Sequence, residues 1–78
     1  MLSRELHNIG YTEQAETKNY YEFVDLEWGL QIDICKGDAN KGMVNFYELH
    51  NGVKVEANDA TGEEIAALAD FLRSRGLV

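Results

Sequence analysis

Near its C-terminus the chain carries a complete helix-start signal, Thr61-Gly62-Glu63-Glu64. Directly behind it lies an amphipathic stripe. Thr61 fits the N-cap and Glu64 the third helical position, where its carboxylate can reach back to the cap. Ile65, Leu68, Ala69 and Leu72 follow at i, i+3, i+4 and i+7, one face of a helix. Acids open this segment, Arg73 and Arg75 close it, as the helix dipole prefers, and Gly76 suits the position just past the end. The pattern predicts a helix over residues 62–75.

Upstream the period changes from 3.6 to two. Residues 20–27 are rich in aromatic and branched side chains and read as a strand, with Val24, Leu26 and Trp28 on one parity. Leu30, Ile32 and Ile34 alternate with Gln31, Asp33 and Cys35, the pattern of a half-buried strand. Gly29 separates these runs, so the joint is either a very tight hairpin or a bulge in one bent strand. Residues 37–42 have turn composition. Residues 43–50 and 53–57 flank Asn51-Gly52, a strong signal for a type I′ hairpin. Residues 3–8 suggest a short helix ending at Gly10, and residues 11–16 an edge strand or a loop.

The order defines an α+β fold: a small antiparallel sheet of three to five strands, joined by hairpins and closed by the C-terminal helix. A sheet with one apolar face must cover it, and that helix is the large element available. Ile32, Ile34, Val53, Val55, Ile65, Leu68 and Leu72 are the expected core, joined by Trp28.

The chain has 78 residues, room for a single domain spanning 1–78. One cysteine, Cys35, cannot form an intramolecular disulfide, and no cysteine–histidine cluster offers a metal site. Fourteen acids oppose seven bases, for a net charge of −7. Such an anion is repelled by nucleic-acid phosphates and by anionic membrane surfaces, which argues against direct binding to either. No apolar run is long enough to span a bilayer, and Met1-Leu2-Ser3-Arg4-Glu5 lacks the apolar segment of a signal peptide. With a free cysteine, this points to the cytosol of a host cell.

Motifs for chemistry are weak. His7 and His50 are the two groups suited to proton transfer near neutral pH, and nothing in the sequence brings them together. Cys35 reads as a small buried hydrophobe, since Lys36 points to the opposite strand face. A calcium loop beginning at Asp38 fails: glycine falls at position five instead of six, and position twelve is Leu49 instead of glutamate. No cofactor is called for, and the chain reads as a non-enzyme.

The charge distribution is more informative. Residues 13–33 hold six acids against Lys18 alone, a net −5 of the total −7. Five of the eight aromatics fall between Tyr11 and Trp28. Tyr21 and Phe23 share parity with Asp25 and Glu27, so an acidic sheet face with embedded aromatics is expected. Such a face suits a basic protein surface: acids steer and pair with Lys and Arg, and aromatics anchor. The expected contacts are Tyr21, Glu22, Phe23, Asp25, Glu27 and Asp33. An ordinary solvated face, acidic for solubility, is the competing explanation.

Residues 20–75, with the compact meander, the Asn51-Gly52 hairpin, Asp59-Ala60-Thr61-Gly62-Glu63-Glu64 and Ala66-Ala67-Leu68-Ala69, resemble small acidic proteins of phages and mobile elements. They are similar in style to the protein inhibitors of CRISPR–Cas complexes. These inhibitors share no common motif, so no functional residue carries over. The resemblance implies an inhibitor that docks on a larger basic protein or nucleoprotein complex, in some cases by mimicking DNA. Lys36, Lys41 and Lys54 interrupt a phosphate-like track in the later strands. The alternative is a structural module that forms a homodimer or larger homo-oligomer through a strand edge.

Overall fold

The structure, a computed structural model, describes residues 4–37, 40–57 and 60–77, without the side chains of Arg4, Glu5, Glu13 and Gln14. The chain runs α1 (Arg4–Asn8), β1 (Glu13–Glu16), β2 (Tyr20–Asp25), β3 (Leu30–Cys35), β4 (Val44–His50), β5 (Val53–Ala57) and α2 (Gly62–Ser74). The five strands form one antiparallel meander in chain order, β1-β2-β3-β4-β5. This is the α+β fold expected from the sequence. Ser3, Asp38, Ala39 and Asp59, which entered the helix, turn, calcium and resemblance arguments, lie outside the described residues.

Helix α2 forms as its signals direct. The Glu64 N–H donates to Thr61 Oγ1 at 3.1 Å, and the Thr61 N–H donates to Glu64 Oε1 at 3.0 Å, closing the capping box. At the other end the helix stops one residue earlier than expected, at Ser74. Arg75 is the C-cap, and Gly76 takes a left-handed φ of 67°. The Leu77 N–H then donates to Leu72 O at 2.9 Å, and the Gly76 N–H to Arg73 O at 3.2 Å. These two bonds are a Schellman closure, which ends the helix and turns Leu77 back toward the core.

One apolar layer lies between the helices and the sheet. Its buried members are Leu6, Tyr11, Phe23, Ile32, Ile34, Ala67, Leu68 and Phe71. Phe71 stands edge-on to both Tyr21 and Phe23, with ring centroids 5.2 and 4.9 Å apart. Each such pair adds roughly 0.5–1.5 kcal/mol beyond its area burial. Ile32, Ile34 and Leu68 are core as expected, and Leu72 packs against it.

Val53, Val55 and Ile65 are not core; all three are exposed. Ile65 lies off the buried face of α2, which runs through Ala67, Leu68 and Phe71, and for Val53 and Val55 the reason is width. Strands repeat every ~4.8 Å and a helix with side chains is only ~10–12 Å across, so α2 covers the middle of the sheet and leaves β5 open. Trp28 is also exposed, because β2 ends at Asp25 and residues 26–29 form the hairpin tip. Asp25 pairs with Leu30 across that tip, so the tight-hairpin alternative holds and the bulge does not.

Candidate interaction surface

The shape of the β2–β3 tip follows from a single carboxylate. Asp25 is only 2% exposed. Its Oδ1 accepts the N–H groups of Glu27 and Trp28 at 3.0 and 3.1 Å. This is the turn that Asp favours, its side chain standing in for a backbone acceptor. Gly29 completes the reversal at φ 66°, and the Leu49 N–H donates to its carbonyl at 2.7 Å. The carboxylate also lies close against Gly10. A Cβ added at Gly10, where φ is 112°, would lie 2.5 Å from Asp25 Oδ2, so only glycine leaves room for it.

The anchored tip holds two large apolar side chains out in water. Trp28 is 76% exposed and Leu26 65%, with exposed Glu27 between them. The sequence reading missed both. The signal that could have found them is Asp25 followed by Gly29, a turn pattern that cuts the strand short before Leu26.

The expected contact residues do not form one face. The error lies in the choice of parity. Tyr21, Phe23 and Asp25 point toward the helices, while Tyr20, Glu22 and Val24 point to the open face of the sheet. Phe23 is wholly buried in the core and gives no anchor area to a partner. Tyr21 is half-buried against Phe71, with Lys36 Nζ 4.9 Å and Arg75 Cζ 5.5 Å from its ring centre. Asp25 is consumed by the turn. Glu22 is half-buried on the open face, and Glu27 is exposed at the tip.

Asp33 sits in the central strand on the open face, yet it is only 4% exposed. Glu22 and Asn45 stand across from it on the neighbouring strands. Gln31 Nε2 donates to its Oδ1 at 2.7 Å, and Lys54 Nζ donates to its Oδ2 at 3.0 Å. Lys54 also lies 4.8 Å from the ring centre of Tyr47. Lys54 holds its proton above the usual lysine range, chiefly through the hydrogen bond to Asp33. Asp33 therefore completes an internal ion pair and is not a free contact.

Glu16 is likewise engaged. Lys36 Nζ donates to Glu16 Oε2 at 2.5 Å and to the Thr17 carbonyl at 3.1 Å, and that hydrogen bond holds the Glu16 carboxyl below its ordinary range. The acidic stretch of the sequence is thus spread over an ion pair at Glu16, a buried turn anchor at Asp25, a buried lysine partner at Asp33, the half-buried Glu22 and the exposed Glu27.

His7 and His50 are both exposed, one in α1 and one at the end of β4. His50 Nε2 lies 3.7 Å from Glu48 Oε2. Cys35 is buried, as its strand position suggested. Among the described residues no group of three or more His, Cys, Asp or Glu side chains is placed to hold a metal ion. No helix among them is long and apolar enough to cross a membrane.

No family model matches the chain, and neither a curated protein nor a solved structure matches it.

Proposed function

We propose that the chain is a non-enzymatic protein-binding module whose contact element is the β2–β3 tip. The observation that carries this reading is the exposed Trp28, held out beside Leu26 on a turn fixed by a buried carboxylate. Folding gains nothing from leaving an indole in water; burying such a side chain is worth on the order of 1.5–3 kcal/mol. Trp is also the residue most enriched among binding hot spots. A turn already fixed in shape loses little conformational freedom on docking, which favours affinity.

The partner that fits is a protein with an apolar pocket rimmed by Lys or Arg. The pocket takes Trp28 and Leu26, and the basic rim meets Glu27 and the net negative charge of the chain. An inhibitor of a basic nucleic-acid-handling complex, such as a CRISPR–Cas effector, is one member of this class. DNA mimicry is the less favoured mechanism, because Asp25 and Asp33 are buried and Glu16 is paired with Lys36.

The test is capture from bacterial lysate by the tagged chain and three variants. Wild type and Tyr20→Ala should retain the same partner. Trp28→Ala should weaken capture about thirtyfold or more, corresponding to the ~2 kcal/mol or more expected of a hot spot. Glu27→Lys should weaken it less and make it less sensitive to salt. Equal capture by wild type and Trp28→Ala would overturn the assignment of the tip.

A further inference from the structure

The second exposed apolar feature is the β5 edge, and it is independent of Trp28. Val53 is 63% exposed and Val55 45%, and β5 is the last strand of the sheet. Val53, Val55 and Ala57 share the helix-bearing face, since they pair with His50, Glu48 and Phe46, and Phe46 pairs with the core residue Ile32. Ile65 of α2 is exposed on the same side of the sheet. Lys54 and Glu56 project from the open face.

Backbone geometry states which groups the edge offers. Asn51 and Gly52 have φ of 53° and 80°, a two-residue type I′ loop, so His50 and Val53 are its closing, hydrogen-bonded pair. The polar backbone groups of Val53, Val55 and Ala57 therefore face β4. Those of Lys54 and Glu56 face outward and, among the described residues, have no strand beside them.

We infer that this edge pairs with the same edge of a second copy, antiparallel and centred on Val55, to form a twofold dimer with a continuous ten-stranded sheet. Three symmetric registers satisfy the outward backbone groups. One centred on Lys54 sets lysine against lysine, and one centred on Glu56 sets glutamate against glutamate. The register centred on Val55 sets Lys54 opposite the partner's Glu56 twice over, and like charges directly opposite are disfavoured. It also places Val55 against its own copy and Val53 against the partner's Ala57, an apolar seam on the helix-bearing face. Lys54 has three donors, of which Asp33 takes one, and its side chain is 44% exposed, so it can serve both carboxylates. The opposite edge offers no such match: β1 is four residues long with a glutamate at each end.

The test combines mass with register. The molar mass in solution should rise from one chain toward two with concentration, and Glu56→Lys should weaken association about tenfold by setting lysines against lysines. In a Cys35→Ala background, Val55→Cys should cross-link under mild oxidation. Facing residues of a non-hydrogen-bonded pair have Cα atoms about 4.5 Å apart, inside the disulfide range. Val53→Cys should not cross-link, because its two copies lie four residues out of step, about 13 Å along the strands. Positions 53, 55 and 56 are exposed, so these three replacements leave the fold intact. A single-chain mass at the highest soluble concentration, or equal cross-linking from positions 53 and 55, would overturn the proposal.

Discussion

Tyr11 shows how one side chain ties the cap of α2 to the sheet core. It is buried, and its hydroxyl donates to Glu64 Oε2 at 2.6 Å, while Glu64 Oε1 closes the helix cap. Burial raises the phenol's pKa well above its usual range, and the hydrogen bond to Glu64 and the nearby Glu64 and Asp25 charges act in the same direction. The folded protein thus holds this proton more tightly than the unfolded chain. The stabilisation is complete below the ordinary tyrosine pKa of about 10 and is lost as pH rises toward the folded value. Lys54, raised by Asp33, acts with the same sign. Urea unfolding followed from neutral pH to above about 10 should therefore show falling stability. Tyr11→Phe should cost about 1.5–3 kcal/mol at neutral pH, the worth of a hydrogen bond to a charged group. It should also make the alkaline decline shallower, with the Lys54 contribution remaining. An unchanged alkaline slope in Tyr11→Phe would contradict this account.

Among the elements, the β2–β3 tip rests on the Asp25 carboxylate, which accepts both the Glu27 and the Trp28 N–H. Removing the Asp25 side chain leaves the Glu27 and Trp28 N–H groups without their acceptor. Asp25→Ala should destabilise the fold by about 1–3 kcal/mol. Hydrogen exchange at those two amides should accelerate more than the global loss explains, whereas Asp25→Asn, which keeps an acceptor oxygen, should fall between. Uniform acceleration across the sheet would mean that Asp25 supports the core and not the tip. What could be read from sequence divides along the same line. The capping box at Thr61 and Glu64, the Asn51-Gly52 hairpin and the Ile32–Ile34 alternation are local, and each forms as written. The face assignment of β2 is not local. Val24, Leu26 and Trp28 make as good an apolar row as Tyr21 and Phe23, and only the position of the turn decides between them. Val53 and Val55 have core-like alternation too, but their burial depends on how far one helix reaches across five strands. Asp25 and Asp33 look like surface charges in the sequence because their partners, two downstream amides and Lys54, come from the turn and from a strand two places away in the sheet.

At the scale of the whole molecule, the sheet is covered on one face, and the tip and the β5 edge both leave apolar side chains in water. They belong to different strands, so one can engage a foreign partner while the other engages a second copy. A twofold dimer would then present two tips to a partner with two pockets, raising avidity without any new contact. Net charge sets the field around both and favours encounter with basic surfaces at low salt.

Trp28 is the only tryptophan in the chain, so its fluorescence reports on the tip alone. The most direct measurement is acrylamide quenching of that emission, first on the free protein and then on its complex with the captured partner. The account predicts a red-shifted, readily quenched signal in the free chain that shifts to the blue and becomes protected on binding. A tryptophan already shielded in the free chain, or one still fully quenched in a formed complex, would contradict the assignment of the tip as the contact element.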